Sequence, residues 1–175
     1  MKRLLTVVVI IAILIYCAYS LVEQYFPLMY RDTIVFECEK NGLEPEWVSA
    51  VICAESGFDA SASSSKGAIG LMQVMPKTGE WIADKLGMGS FDLYRPEDNI
   101  KIGCAYLKLL LEQYDSKYLA LCAYNAGEGR VDGWLAKSST VEEFRSLLFE
   151  ETSKYCMKIE NYEKIYKMLY WRDKK

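Results

Sequence analysis

The chain has 175 residues, 51% of them hydrophobic and 13% aromatic, with 21 basic against 24 acidic side chains, no histidine and a formal net charge of −3. That composition suits one modest globular domain, and its acidic balance excludes nucleic-acid binding by charge. The missing histidine removes Ser-His-Asp and Cys-His nucleophiles, histidine-ligated zinc and imidazole acid–base chemistry. Any enzymatic chemistry then rests on carboxylates, hydroxyls, tyrosine or backbone groups, and neither a metal nor an organic cofactor is expected.

Lys2-Arg3 precede a nearly unbroken apolar run from Leu4 to about Tyr19 or Leu21, the length of a short membrane span or a signal core. Positive charge before the run and Glu23 after it favour an amino terminus inside the cell and everything downstream outside it. Ala18-Tyr19-Ser20 is a passable cleavage site, but the run is longer than most signal cores, so an uncleaved single-pass anchor is favoured over a secreted form. Residues 1–22 are therefore read as anchor or signal segment and residues 23–175 as the exported domain. Cys17 reads as a plain membrane cysteine, because Tyr16 stands where lipid modification would need a small residue.

From Arg31 onward the pattern is helical, with Asn41-Gly42-Leu43-Glu44-Pro45 as a turn and Pro45 in the first turn of the next helix. In that helix Glu55 falls in line with Trp47, Val48, Val51 and Ile52, at spacings of three, four, seven and eight residues. A carboxyl closing an apolar stripe is desolvated, its pKa rises, and a carboxyl protonated near neutral pH is what a general acid needs. The competing reading is a buried structural glutamate paired with Lys66 or Arg130.

Residues 56–76 have no helical period. Ser61, Ser63, Ser64, Ser65, Gly67 and Gly70 form a small-residue loop that returns to apolar Ile69-Gly70-Leu71-Met72-Gln73-Val74-Met75, with room for a small hairpin over 61–75. Pro76 starts a helix over 76–86, and Pro96 starts another through Ile100, Cys104, Leu107 and Leu111. Further helices are predicted over 118–125, over 128–137 after the Ala126-Gly127 turn, and over about 150–171, where Tyr155, Ile159, Tyr162, Ile165, Tyr166 and Leu169 recur at helical spacing. Arg172-Asp173-Lys174-Lys175 reads as a solvated helix end. No strand run stands out, so the exported part is expected to be all-α, short helices with at most a small hairpin. Its cysteines, Cys38, Cys53, Cys104, Cys122 and Cys156, are odd in number and lack zinc-like spacing, which leaves disulfide pairing open.

Glu55-Ser56, Gly70-Leu71-Met72-Gln73-Val74-Met75-Pro76 and Ala123-Tyr124-Asn125-Ala126-Gly127 occur in that order, flanked by Asn99-Ile100, Gly103, Tyr106-Leu107, Glu151-Thr152 and Tyr155. Together they resemble the motifs of bacterial lytic transglycosylases of the soluble-lytic-transglycosylase type, which have a lysozyme-like fold, over roughly residues 34–170. The resemblance implies helices around a saccharide cleft. It also implies cleavage of the β-1,4 bond between N-acetylmuramic acid and N-acetylglucosamine in peptidoglycan without water, giving a 1,6-anhydro ring, with Glu55 as the only acid and base.

Gln73 and the backbone beside Gly70 would donate hydrogen bonds to sugar acetamides; by the same resemblance Ser64 would lie near the acid, Met75 would line the cleft, and Tyr124 and Tyr155 would approach Glu55. Asn125 joins this substrate-binding set, although fixing a turn is its simpler role. Partners would be peptidoglycan strands and the membrane through the first helix, with membership of a cell-envelope protein complex left open. Alternatives are a goose-type lysozyme, which would hydrolyse the same bond, and a non-catalytic peptidoglycan-binding scaffold.

Overall fold

In the computed structural model, which describes residues 2–171, helices account for almost all regular structure. Arg172, Asp173, Lys174 and Lys175, expected as a solvated helix end, lie outside the described residues. Helix α1 (Lys2–Tyr25) stands apart from the body, and its segment Leu4–Tyr25, 22 residues long and unburied, is long and apolar enough to cross a membrane. Helices α2 (Arg31–Asn41) and α3 (Pro45–Ser56) follow, then a long loop, then α4 (Pro76–Lys85), α5 (Pro96–Tyr114), α6 (Lys117–Ala126), α7 (Glu128–Leu135), α8 (Val141–Leu147) and α9 (Glu150–Tyr170).

Three prolines, Pro45, Pro76 and Pro96, stand at the first turns of α3, α4 and α5, where a missing N–H costs nothing. Helix α8 was not anticipated. Its start carries a local signal, Thr140-x-x-Glu143: the Thr140 hydroxyl accepts from the Glu143 N–H at 3.1 Å, and the Glu143 carboxylate accepts from the Ser139 N–H at 2.6 Å. In place of a hairpin, the 57–75 loop makes two isolated antiparallel bridges, Ser63 to Ile69 and Ile69 to Val74.

Helix α3 is the centre of the molecule. Trp47, Val48, Ser49, Ala50, Val51 and Ile52 are all fully buried, so the stripe expected from periodicity is in fact a helix enclosed on most sides, with α2 on one flank and α9 on the other. Burying each of its large aliphatic side chains contributes about 1.5–3 kcal/mol. The α9 flank is the more extensive, and α6 packs on α9 as well, so α3, α6 and α9 meet where the carboxyl end of α3 emerges. Behind α1, the hydroxyls of Tyr166 and Tyr170 donate to the carbonyls of Pro27 and Phe26 at 2.7 and 2.8 Å, fixing the chain between α1 and the body.

The cysteines are free thiols, five of them buried, and the Cys122 and Cys156 sulfurs lie 3.5 Å apart between α6 and α9.

Candidate active site

Helix α3 ends at Ser56, where Gly57 takes a left-handed conformation (φ 62°) and turns the chain into the loop. Glu55 therefore occupies the last turn of a buried helix, half-buried itself, at the mouth of the core. Desolvation raises its carboxyl from 4.5 to about 7, against smaller opposing effects of the Tyr155 hydroxyl and the Lys158 ammonium. Tyr155 donates its hydroxyl hydrogen to Glu55 Oε1 at 2.5 Å. The partners foreseen for a purely structural glutamate are engaged elsewhere or absent from its surroundings: the Arg130 guanidinium donates to the Ala126 carbonyl at 2.8 Å and lies over the Phe149 ring.

Tyr124 also borders Glu55, and its phenol is pushed well above the ordinary value, by burial first and by the Glu55 charge second. Its hydroxyl donates to the Met72 carbonyl at 2.8 Å, so Tyr124 lies beside the acid without giving it a proton. Tyr155 is likewise raised well above the ordinary value, by burial and then by Glu55. Both hydroxyls thus stay protonated across the neutral range.

The loop that faces these groups is held from behind. Ser56 Oγ donates to the Leu71 carbonyl at 2.8 Å, tying the loop to the end of α3. Asn99 on α5 accepts from the Met72 N–H at 2.8 Å and donates to the carbonyls of Ile69 and Leu93 at 2.9 and 2.7 Å. Gly70 (φ 76°) is required by this contact: a Cβ there would stand 2.3 Å from Asn99 Nδ2 and 2.3 Å from the Leu93 carbonyl oxygen. Its own N–H and carbonyl bond within the loop, to Ala62 and Gln73.

Gln73 adopts a left-handed backbone (φ 47°) that a non-glycine residue holds only at a cost of about 1–2 kcal/mol. Its side-chain amide donates to the carbonyls of Gly70 and Ala62 at 2.9 and 3.3 Å, so in this arrangement Gln73 offers a ligand its carbonyl oxygen, not the donors expected. Ser64 is exposed and closes a turn with Ala68, accepting on Oγ from the Ala68 N–H at 3.0 Å; its contacts place it in the loop's own bonding. Met75 is 44% exposed, which fits a cleft wall and not core filler, the role that fully buried Met72 plays against Gly103.

Gln73, Met75, Tyr124 and Asn125 come together with Thr78 and Tyr106 around a cleft of about 240 Å³. Larger hollows of about 570 and 580 Å³, along α6 to α8 and beside α2 and α5, contain none of the residues singled out in the sequence. Asn125 accepts from the Thr152 hydroxyl at 2.9 Å, which locks α6 to α9 and so sets Tyr124 relative to Tyr155. Tyr106 was recognised only as part of a motif. It packs between Tyr124, tilted to it, and Trp81, edge to face, with ring centroids 5.4 and 6.2 Å away, and burial with the nearby Glu128 pushes its phenol up to about 12. Nothing in helical periodicity separates such a residue from core.

The arrangement can hold a proton on one carboxyl at neutral pH and present it beside an aromatic, amide-lined cleft. Asp59, the next carboxylate in the chain, is turned to the Ser61 N–H and hydroxyl, at 2.8 and 2.6 Å, which hold it below its ordinary range. Among the described residues no cluster of His, Cys, Asp and Glu is suited to a metal ion.

Comparison with known proteins places the chain in a family. Residues 32–146 match the family described as "Transglycosylase SLT domain". The soluble lytic murein transglycosylase of Salmonella typhimurium is 34% identical over 156 residues, 83% of this chain and 24% of that protein. Membrane-bound lytic murein transglycosylase C of Actinobacillus pleuropneumoniae is 36% identical over 122 residues, 62% of this chain and 32% of its own length. Among solved structures, an inactive mutant of the lytic transglycosylase Slt from Pseudomonas aeruginosa superposes with a TM-score of 0.78 at 34% identity, covering 84% of this chain and 25% of that one. The 70 kDa soluble lytic transglycosylase of Escherichia coli gives 0.79 at 31% identity, covering 87% and 26%. The chain thus spans about a quarter of the length of the soluble relatives it matches.

Proposed function

The chain belongs to the transglycosylase SLT domain family, and from that membership we propose that it is a membrane-anchored lytic transglycosylase acting on peptidoglycan. It cuts the β-1,4 bond between N-acetylmuramic acid and N-acetylglucosamine, with Glu55 as both acid and base. The observation that carries this reading is the Glu55 carboxyl itself: half-buried, raised to about 7, and held by the Tyr155 hydroxyl at 2.5 Å.

Protonated Glu55 gives its proton to the bridging oxygen as the bond from the muramyl C1 breaks. The substrate's own N-acetyl carbonyl oxygen supports the positive charge at C1. The Glu55 carboxylate, now held by Tyr155, then removes the proton of the muramyl 6-hydroxyl as that oxygen closes on C1, and the enzyme regains its proton. Hydrolases of the ordinary kind pair two carboxyl groups, one of which activates water or attacks the sugar. A substrate that supplies both its anchimeric oxygen and its nucleophile needs only one, in keeping with an Asp59 already committed to Ser61. The cleft of Gln73, Met75, Tyr106, Tyr124 and Asn125 would hold the glycan. Helix α1 would cross the membrane once, with the domain of residues 23–175 on the outer side; the apolar length of Leu4–Tyr25 supports this.

The test is digestion of purified peptidoglycan by the full-length protein in mild detergent, with mass spectrometry of the products. Anhydro-muropeptides are expected, and their loss in Glu55→Gln. Reducing-end products would instead make the protein a lysozyme-like hydrolase, and undiminished cleavage by Glu55→Gln would make Glu55 a bystander.

A further inference from the structure

Beyond the residues that surround the carboxyl, α9 makes a second contact with the end of α3. The last carbonyls of a helix lack partners within it. Gly57 satisfies one, its N–H donating to the Cys53 carbonyl at 3.1 Å. The next, on Ala54, accepts from the Lys158 ammonium at 3.0 Å. Lys158 lies one helical turn beyond Tyr155, so two consecutive residues of α3, Ala54 and Glu55, are gripped by two residues of α9 three apart. The ammonium also sits 5.3 Å from the centroid of the Tyr162 ring, which restricts where the long side chain can go. An exposed lysine ordinarily hangs in solvent; this one is turned inward onto the main chain beside the acid.

We propose that Lys158 is a positioning residue for Glu55: its ammonium caps the carboxyl end of α3, holds α3 and α9 in the register that keeps the Tyr155 hydroxyl on the acid, and sets a fixed positive charge beside it. This rests on the reading of Glu55 as the acid. A cation at a helix carboxyl end is favourable in its own right, because it faces the negative pole of the helix dipole. Here the same charge also assists release of the proton from Glu55, opposing the desolvation that retains it. The other groups bearing on the carboxyl are the Tyr155 hydroxyl from α9 and the Tyr124 hydroxyl from α6, both neutral over the working range; the Cys53 thiol, on α3, is raised by burial and stays neutral too. Lys158 is accordingly the charge in that set.

The experiment measures kcat, KM and the pH profile of peptidoglycan cleavage for the full-length protein and for Lys158→Met, Lys158→Arg and Glu55→Gln. Lys158→Met is expected to lose roughly tenfold in kcat with little change in KM, the size of one charge-assisted hydrogen bond. Its alkaline fall in activity should move up by roughly half a pH unit, the scale of a screened surface charge. Lys158→Arg should restore both. A Lys158→Met protein with wild-type kcat and profile overturns the inference, as does one that is merely less heat-stable with its profile unmoved. If Glu55→Gln still cleaves, the assignment of the acid fails and this inference with it; a dead Glu55→Gln beside an unaltered Lys158→Met fails the inference alone.

Discussion

A carboxyl that keeps its proton because it is buried must weaken the fold once it ionises, and this can be measured without any substrate. Folding raises Glu55 from 4.5 to about 7, so between those values the folded chain holds a proton that the unfolded chain has released. Stability from this site is therefore complete below pH 4.5, falls as pH climbs, and is gone above about 7. At about 1.36 kcal/mol per pH unit the whole loss is at most about 3 kcal/mol, a ceiling because Glu55 is only half-buried. Glu55→Gln retains the shape and an acceptor for the Tyr155 hydroxyl but does not titrate. Denaturant unfolding of the two full-length proteins in mild detergent, followed by tryptophan fluorescence at pH 4, 6 and 8, should show the glutamine variant gaining on the parent as pH rises, by up to about 3 kcal/mol at pH 8. All other titrating groups cancel in that difference. A stability gap independent of pH would refute the claim that burial sets the proton affinity of Glu55.

Two further outcomes follow from contacts around the acid. Tyr155→Phe removes the hydroxyl that donates to Glu55 Oε1, so the carboxyl should become harder to ionise; the alkaline limb of wall cleavage should rise by roughly one pH unit and the rate fall about tenfold, and a pH–rate profile with an unmoved limb would exclude that role. Gly70→Ala drives a methyl to within 2.3 Å of Asn99 Nδ2 in a backbone region alanine disfavours, and should cost more than about 3 kcal/mol in thermal unfolding; an unchanged melting temperature would show that the loop yields freely there.

What could be read from the sequence was whatever repeats at helical period or sits at a helix start. Pro45, Pro76 and Pro96 marked their helices, and the line of Trp47, Val48, Val51 and Ile52 led to Glu55. The placing of Tyr155 on the acid came from the motif resemblance, since a tyrosine in an amphipathic helix is otherwise indistinguishable from core. The contacts that were illegible join residues far apart in the chain. Asn99 supports a loop segment 27 to 30 residues earlier, Lys158 reaches Ala54 across 104 residues, and Thr152 binds Asn125 across 27. Local pattern carries no trace of such partners. The bonding of Ser64, Gly70 and Gln73 was illegible for a related reason: a loop's side chains and amides satisfy one another first, and only the completed hydrogen bonds reveal which groups remain for a ligand.

The direction of one hydroxyl bears on the balance of the whole site. Two tyrosines border Glu55, and if both donated to it, the charged form would be favoured twice over and the carboxyl would drift back toward its ordinary range, a poor proton donor at neutral pH. Tyr124 is prevented from doing so because its proton is taken by the Met72 carbonyl. Met72 is held in turn by its N–H on Asn99 and by a sulfur that fits only because Gly103 lacks a side chain. The carboxyl is left with one hydroxyl donor and one nearby ammonium against its desolvation, and settles at about 7. That value suits a group that must surrender a proton and recover it in the same cycle, since a much stronger acid would be ionised before the first step and a much weaker one would hold its proton through it. The glycine, asparagine and methionine behind the loop therefore act on the acid without touching it, by deciding where Tyr124 points.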